Sequence, residues 1–229
     1  SLDTVLANGL KALTVAAFKE EISTFEPVIL DTRNATVFTQ GFVPGAVSIG
    51  LEGRFAEFAG SILPFDKAIL LVCEPGTEKE SIVRLARVGF ENIIGHLAGG
   101  FNAWLAANET PDLIIDVEAD ELAMDIPFDP NMVIVDVRKT SEFDKGHIKE
   151  ALTIPLDELT DPASMANFDD NQNIYIHCAG GYRSVIASSL IKRQGIHNIR
   201  NVVGGFKAIS ELADKFDIEE TVLAEEVKA

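Results

Sequence analysis

The stretch "VIVDVRKTSEFDKGHIKEALTIPLD", residues 133–157, has an earlier counterpart in "VILDTRNATVFTQGFVPGAVSIGLE", residues 28–52. Laying Val28 on Val133 sets an offset of 105 residues. Asp31 with Asp136, Arg33 with Arg138, Phe38 with Phe143, Gly41 with Gly146 and Ala46 with Ala151 all keep it. So do Cys73 with Cys178, and Gly99-Gly100-Phe101 with Gly204-Gly205-Phe206. Between the cysteines and the glycine pairs the register slips by one residue and then recovers. A period this long exceeds the roughly 20–50 residues of solenoid repeats and falls where a domain folds alone. The chain therefore reads as a tandem duplication. Its units run over 1–112 and 113–229, joined through "NETPDLIIDVEAD" with Pro111.

Within each unit short apolar, β-branched runs alternate with helical patterns. In the second unit "VIVDVR", "ALTIPL", "NIYIHC" and "IRNVVGG" read as strands, and "SEFDKG", "RSVIASSLIKRQG" and "FKAISELAD" as helices. In the first unit "AILLVC", "ESIVRLARVG", "NIIGHLAGG" and "FNAWLAAN" take corresponding parts. Such alternation predicts an α/β fold in each unit, a mostly parallel sheet flanked by helices. Sites in these sheets form beyond the carboxyl ends of the strands. Both cysteines fall there. The acidic end, "EETVLAEEVKA" (219–229), reads as a frayed helix or a tail.

Composition narrows the function. The net charge of −17 opposes a nucleic-acid or anionic-membrane partner. It also requires that any anionic substrate find a local pocket rich in cations or N–H groups. Nothing approaches the ~18 consecutive apolar residues of a membrane span. Two cysteines in 229 residues make no disulfide framework, and a reducing cytoplasm is the expected compartment. Four scattered histidines form no metal-ligand motif, so no metal is expected.

The stretch "HCAGGYRS" (177–184) supplies such a pocket. The N–H groups of Ala179, Gly180, Gly181 and Tyr182 can curl around the Cys178 sulfur, since glycine permits the φ > 0 turns that such a nest needs. A helix starting near Arg183 points its positive end at the same spot, and Arg183 adds a planar cationic fork. Positive potential of this kind favours thiolate, the reactive form. Protein tyrosine phosphatases use a similar cradle with five residues between cysteine and arginine. Here four intervene, and the smaller ring suits a sulfur atom better than a tetrahedral phosphate. His177 alternates away from the sulfur and reads as structural. His147, which aligns with Phe42, reads as a packing residue or the maker of a local hydrogen bond.

Together, "VIVDVRKTSEFDKGHIKEALTIPLDEL", "HCAGGYRS" and "NVVGGFKA" resemble the rhodanese family of sulfurtransferases across 117–215. The resemblance implies a ping-pong reaction. Cys178 takes the outer sulfur of thiosulfate or of a persulfide and becomes a persulfide itself. A thiol, sulfite or cyanide acceptor then removes that sulfur. The N–H groups from Ala179 to Arg183 would hold the persulfide, Arg183 would orient the donor, and no cofactor would be needed. The partners implied are small sulfur anions and thiols.

Unit one departs from this pattern. "VCEPGTEKES" keeps Cys73 but has Glu78 where Arg183 stands and Pro75 in place of Gly180. Proline removes a backbone donor, and Glu74 and Glu78 disfavour both thiolate and anionic donor. Since Asp31 and Arg33 persist without the loop chemistry, the Asp-x-Arg pair reads as serving the fold. Cys73 is either a relic in a supporting domain or a second thiol that exchanges sulfur with a neutral or cationic partner. The stretch 73–104 also resembles the middle domain of bacterial fusions in which an iron persulfide dioxygenase of metallo-β-lactamase fold precedes two rhodanese units. This implies sulfide metabolism, with the dioxygenase lying upstream. The contrasting expectation is a non-catalytic docking or regulatory module.

Overall fold

A computed structural model describes residues 1–221, so all but the first three residues of the acidic end lie outside the described residues. The chain divides into two compact units, the second starting at Asp116 and excluding Lys192–Gly195.

In the first unit the strands are β1 (Ala12–Leu13), β2 (Val28–Asp31), β3 (Val47–Ser48), β4 (Ile69–Val72) and β5 (Ile93–Leu97). They form one sheet in the order β1-β5-β4-β2-β3, with every pairing parallel. The helices are α1 (Leu2–Gly9), α2 (Val15–Phe25), α3 (Ala35–Phe38), α4 (Phe55–Ile62), α5 (Glu78–Ala86) and α6 (Phe101–Ala106). β2 and β4 are buried at every position. That is why they read as continuous apolar runs and not as an alternation.

The second unit repeats the plan. β6 (Ile115–Val117), β7 (Met132–Asp136), β9 (Leu152–Thr153), β10 (Asn173–His177) and β11 (Ile199–Val202) build a sheet in the order β6-β11-β10-β7-β9. The pairings of β10 with β11 and β7, and of β7 with β9, are parallel. A two-residue antiparallel pairing joins β8 (His147–Ile148) to β12 (Ile218–Glu219). The helices are α7 (Ala119–Asp125), α8 (Thr140–Phe143), α9 (Tyr182–Arg193) and α10 (Gly205–Glu211), with 3₁₀ turns at Leu156–Thr160 and Pro162–Asn167. The sheets have five strands each where the sequence pattern marked four in the second unit. The edge strands β1 and β6 are too short to carry a periodicity. Among the described residues, no helix is long and apolar enough to cross a membrane.

The Asp-x-Arg pair fastens each sheet to its loops. Arg33 donates through Nε and Nη2 to the Asp31 carboxylate, the shortest contact being 2.7 Å, and Nη2 also donates to Gly41 O. Arg138, Asp136 and Gly146 repeat this arrangement. Both pairs are buried. Each guanidinium lies over the phenylalanine of its Gly-Gly-Phe motif: Arg33 over Phe101 at 4.6 Å, Arg138 over Phe206 at 4.0 Å. Two widely separated motifs thus become one packed cluster, as the persistence of Asp31 and Arg33 in the divergent unit predicts. Removing one partner of such a buried pair costs about 3–5 kcal/mol. His147 has the packing role anticipated for it, stacked on Phe143 with Nδ1 2.9 Å from Phe143 O.

Candidate active site

The central strand β10 ends at His177, and Cys178 begins the loop that enters α9 at Tyr182. Gly181 takes φ +111°, a conformation that side chains rarely tolerate, and its N–H donates to Cys178 Sγ at 3.1 Å. α9 runs 12 residues, long enough for its N-terminal dipole to act on the loop. The sulfur lies beneath the loop, with the cysteine 1% exposed.

The loop is held from below by the second glycine pair. Phe206 N–H donates to Cys178 O at 2.7 Å, and Lys207 N–H to Ala179 O at 3.0 Å. Gly205 makes this approach possible. It takes φ +57°, and a Cβ there would stand 2.4 Å from Cys178 O. The Gly-Gly-Phe motif, repeated in both units, is in the second the clamp on the cysteine loop.

A polar chain reaches the sulfur from inside. The Cys178 thiol donates to Ser184 Oγ at 3.6 Å, Ser184 Oγ donates to Asn201 Oδ1 at 2.7 Å, and Asn201 Nδ2 donates to Asp116 Oδ1 at 2.9 Å. The hydrogen bond to Asp116 fixes the amide of Asn201, which turns its oxygen toward Ser184. His177 plays no part beside the sulfur. Its ring is fully buried with Nδ1 3.2 Å from Cys178 O, and burial pushes its pKa below the ordinary value and keeps it neutral.

Arg183 has a partner that the sequence reading did not single out. Its Nη1 and Nη2 donate to the two oxygens of Glu142 at 2.7 and 2.9 Å. Glu142 also accepts from Lys139 N–H at 3.0 Å. The Arg183 guanidinium, helped by that backbone bond, holds the Glu142 carboxyl down at about 2 against the pull of its partial burial. The two residues are 41 positions apart, and no local pattern joins them.

In the first unit Cys73 follows β4 in the same way and is 2% exposed. Its thiol donates to Ser81 Oγ at 3.6 Å, and Ser81 in turn lies 3.0 Å from Thr32 Oγ1. The loop is different. Glu78 folds back, and its carboxylate accepts from Gly76 N–H at 2.9 Å. Burial, with added repulsion from Glu78 and Asp31, pushes the Cys73 thiol up to about 11.

The model of the rhodanese-like domain matches residues 14–107 and again 118–212. YrkF of Bacillus subtilis, whose name gives it as a sulfur carrier protein, is 33% identical over 101 residues, covering 44% of this chain and 54% of that protein. A tRNA uridine(34) hydroxylase of Yersinia enterocolitica is 32% identical over 183 residues, covering 70% of this chain and 49% of that one. The crystal structure of a rhodanese-like domain protein from Staphylococcus aureus is similar at 34% identity and a TM-score of 0.39, over 42% of this chain and 91% of the other. The chain spans about half the length of these two curated relatives.

Proposed function

The chain belongs to the rhodanese-like family, with two such domains in tandem, and on that premise we propose that it is a sulfurtransferase working through a persulfide on Cys178. The observation that carries the reading is the Gly181 N–H on Cys178 Sγ beneath a glycine-rich turn, at the head of a long helix and beside Arg183. The likeness to a sulfur carrier protein supports it. The net charge of −17 weighs against extending the hydroxylase relative's tRNA to this chain.

In the first half-reaction the Cys178 thiolate attacks the sulfane sulfur of a donor. A persulfide RSSH gives Cys178–S–S⁻ and RSH. Thiosulfate gives the same enzyme form and releases sulfite. The sulfur–sulfur bond of the donor breaks, and its electron pair leaves with the departing group. In the second half-reaction a thiolate, sulfite or cyanide attacks the outer sulfur of the enzyme persulfide and regenerates the thiolate. The N–H groups from Ala179 to Arg183 stabilise the anionic outer sulfur, and Arg183 orients the donor. Neither half-reaction calls for a metal or organic cofactor.

Unit one is read as a docking or supporting domain. Its thiol is raised to about 11, and Glu78 already takes the loop N–H that an anion would need. An accompanying persulfide dioxygenase, and with it a place in sulfide metabolism, rests on the resemblance of residues 73–104 alone. The test is thiocyanate formation from cyanide with a persulfide or thiosulfate donor. Wild type and Cys73→Ser turn over and Cys178→Ser does not. Equal activity in all three would remove the proposal.

A further inference from the structure

The one charged side chain that the loop 178–183 carries is paired. Arg183 is matched by Glu142 through two hydrogen bonds of 2.7 and 2.9 Å. Besides Cys178 itself, Arg138 and Asp136 bear on this pair, themselves joined at 2.7 Å and buried. The Arg183–Glu142 pair therefore presents no net charge to an incoming donor. Two of the five N–H donors of Arg183, one on each outer nitrogen, are already bonded to carboxylate oxygens, so a bound oxyanion would share Arg183 with the Glu142 carboxylate. What meets the sulfur directly is backbone: the Gly181 N–H, at the N-terminal end of α9. Such partial charges suffice for one developing negative charge on sulfur. They do not offset a dianion that must also displace or approach the Glu142 carboxylate in a protein of net charge −17.

We infer that Glu142 is a specificity-determining residue that sets the site for sulfane donors of low charge, the persulfides of small thiols, against the dianion thiosulfate. This rests on the sulfurtransferase reading and names its donor class. Glu142 acts through Arg183 and is a positioning residue. It touches neither Cys178 nor the transferred sulfur. It stays ionised throughout the working range, because Arg183 and the Lys139 N–H hold its carboxyl at about 2, so the selection does not relax near neutral pH.

The experiment compares loading of Cys178 by thiosulfate and by the persulfide of 2-mercaptoethanol, an uncharged thiol. It uses wild type, Glu142→Gln and Glu142→Asp, with sulfate as a competing dianion. Glutamine keeps an oxygen for Arg183 and the Lys139 N–H while removing the charge. Wild type should favour the persulfide in kcat/KM and resist sulfate. In Glu142→Gln the ratio should move toward thiosulfate on the order of tenfold, chiefly through KM, with sulfate inhibiting at lower concentration. Glu142→Asp should restore the wild-type ratio. A wild-type preference for thiosulfate overturns the inference, even if the glutamine variant fails to fold. An equal loss with both donors also overturns it, since that is what a merely structural role would produce. If neither donor loads wild-type Cys178, the sulfurtransferase reading falls and takes this inference with it.

Discussion

The loops after Cys178 and Cys73 start from the same place, the carboxyl end of a buried central strand above a serine hydroxyl, and end in opposite chemistry. In the second unit the loop N–H of Gly181 meets the sulfur, and the nearby carboxylate, Glu142, is drawn off to Arg183. In the first, the carboxylate of Glu78 takes the N–H of Gly76, and no arginine stands at that position. A few substitutions convert an anion cradle into one filled by the chain's own glutamate. The clusters beneath, Asp31 with Arg33 and Asp136 with Arg138, are unaffected because they hold strands and not substrates.

The largest effect separates the two cysteines. Cys178→Ser should lower sulfur transfer by at least about a thousandfold, as expected when a covalent nucleophile is lost. Cys73→Ser should leave the rate near wild type. Steady-state thiocyanate formation reads both, and comparable losses would make the two sites equals.

Next comes thiol reactivity. With its pKa at about 11, Cys73 should react with iodoacetamide roughly a hundredfold more slowly at pH 7 than a free thiol, and the rate should rise about tenfold per pH unit until that value. The same shift carries a stability consequence. Below about pH 9 the protonated thiol contributes fully. Stability falls as pH rises from 9.0 toward 11, because the unfolded thiol ionises first. A flat alkylation profile would show that burial does not control Cys73.

A smaller effect falls on both clamps. Gly205→Ala and Gly100→Ala each force a side chain to positive φ, at +57° and +65°, against the carbonyl of the loop cysteine. Each should cost about 1–3 kcal/mol in denaturant unfolding, or more where the backbone cannot shift. Only Gly205→Ala should also reduce sulfur transfer. Loss of activity in both would tie unit one to the reaction.

The smallest is Glu78→Gln. Burial leads the causes of the raised thiol and Glu78 comes later, so the Cys73 pKa should fall by less than about one unit. A drop to the free-thiol value would mean that one charge, and not the core, silences the first unit.

What was legible in the sequence was whatever repeats or is local. The offset from Val28 to Val133 exposed the duplication, buried strands read as apolar runs, and the turn after Cys178 showed its glycines and arginine together. Pairings between distant residues were not legible. Glu142 meets Arg183 across 41 residues, and Ser184 reaches Asp116 only through Asn201, so neither partnership leaves a spacing to find. The aligned motifs did hold one further clue. Gly205 matches Gly100, and both stand against a loop cysteine's carbonyl, so the repeated glycine pair marked the clamp before its function could be named.

The measurement to make first is an intact-mass and peptide-map analysis after exposure to a small-thiol persulfide, in wild type, Cys178→Ser and Cys73→Ser. One added sulfur on Cys178, absent from Cys178→Ser and retained in Cys73→Ser, is the predicted result. Sulfur on Cys73 alone, or on neither cysteine of the folded protein, would contradict it.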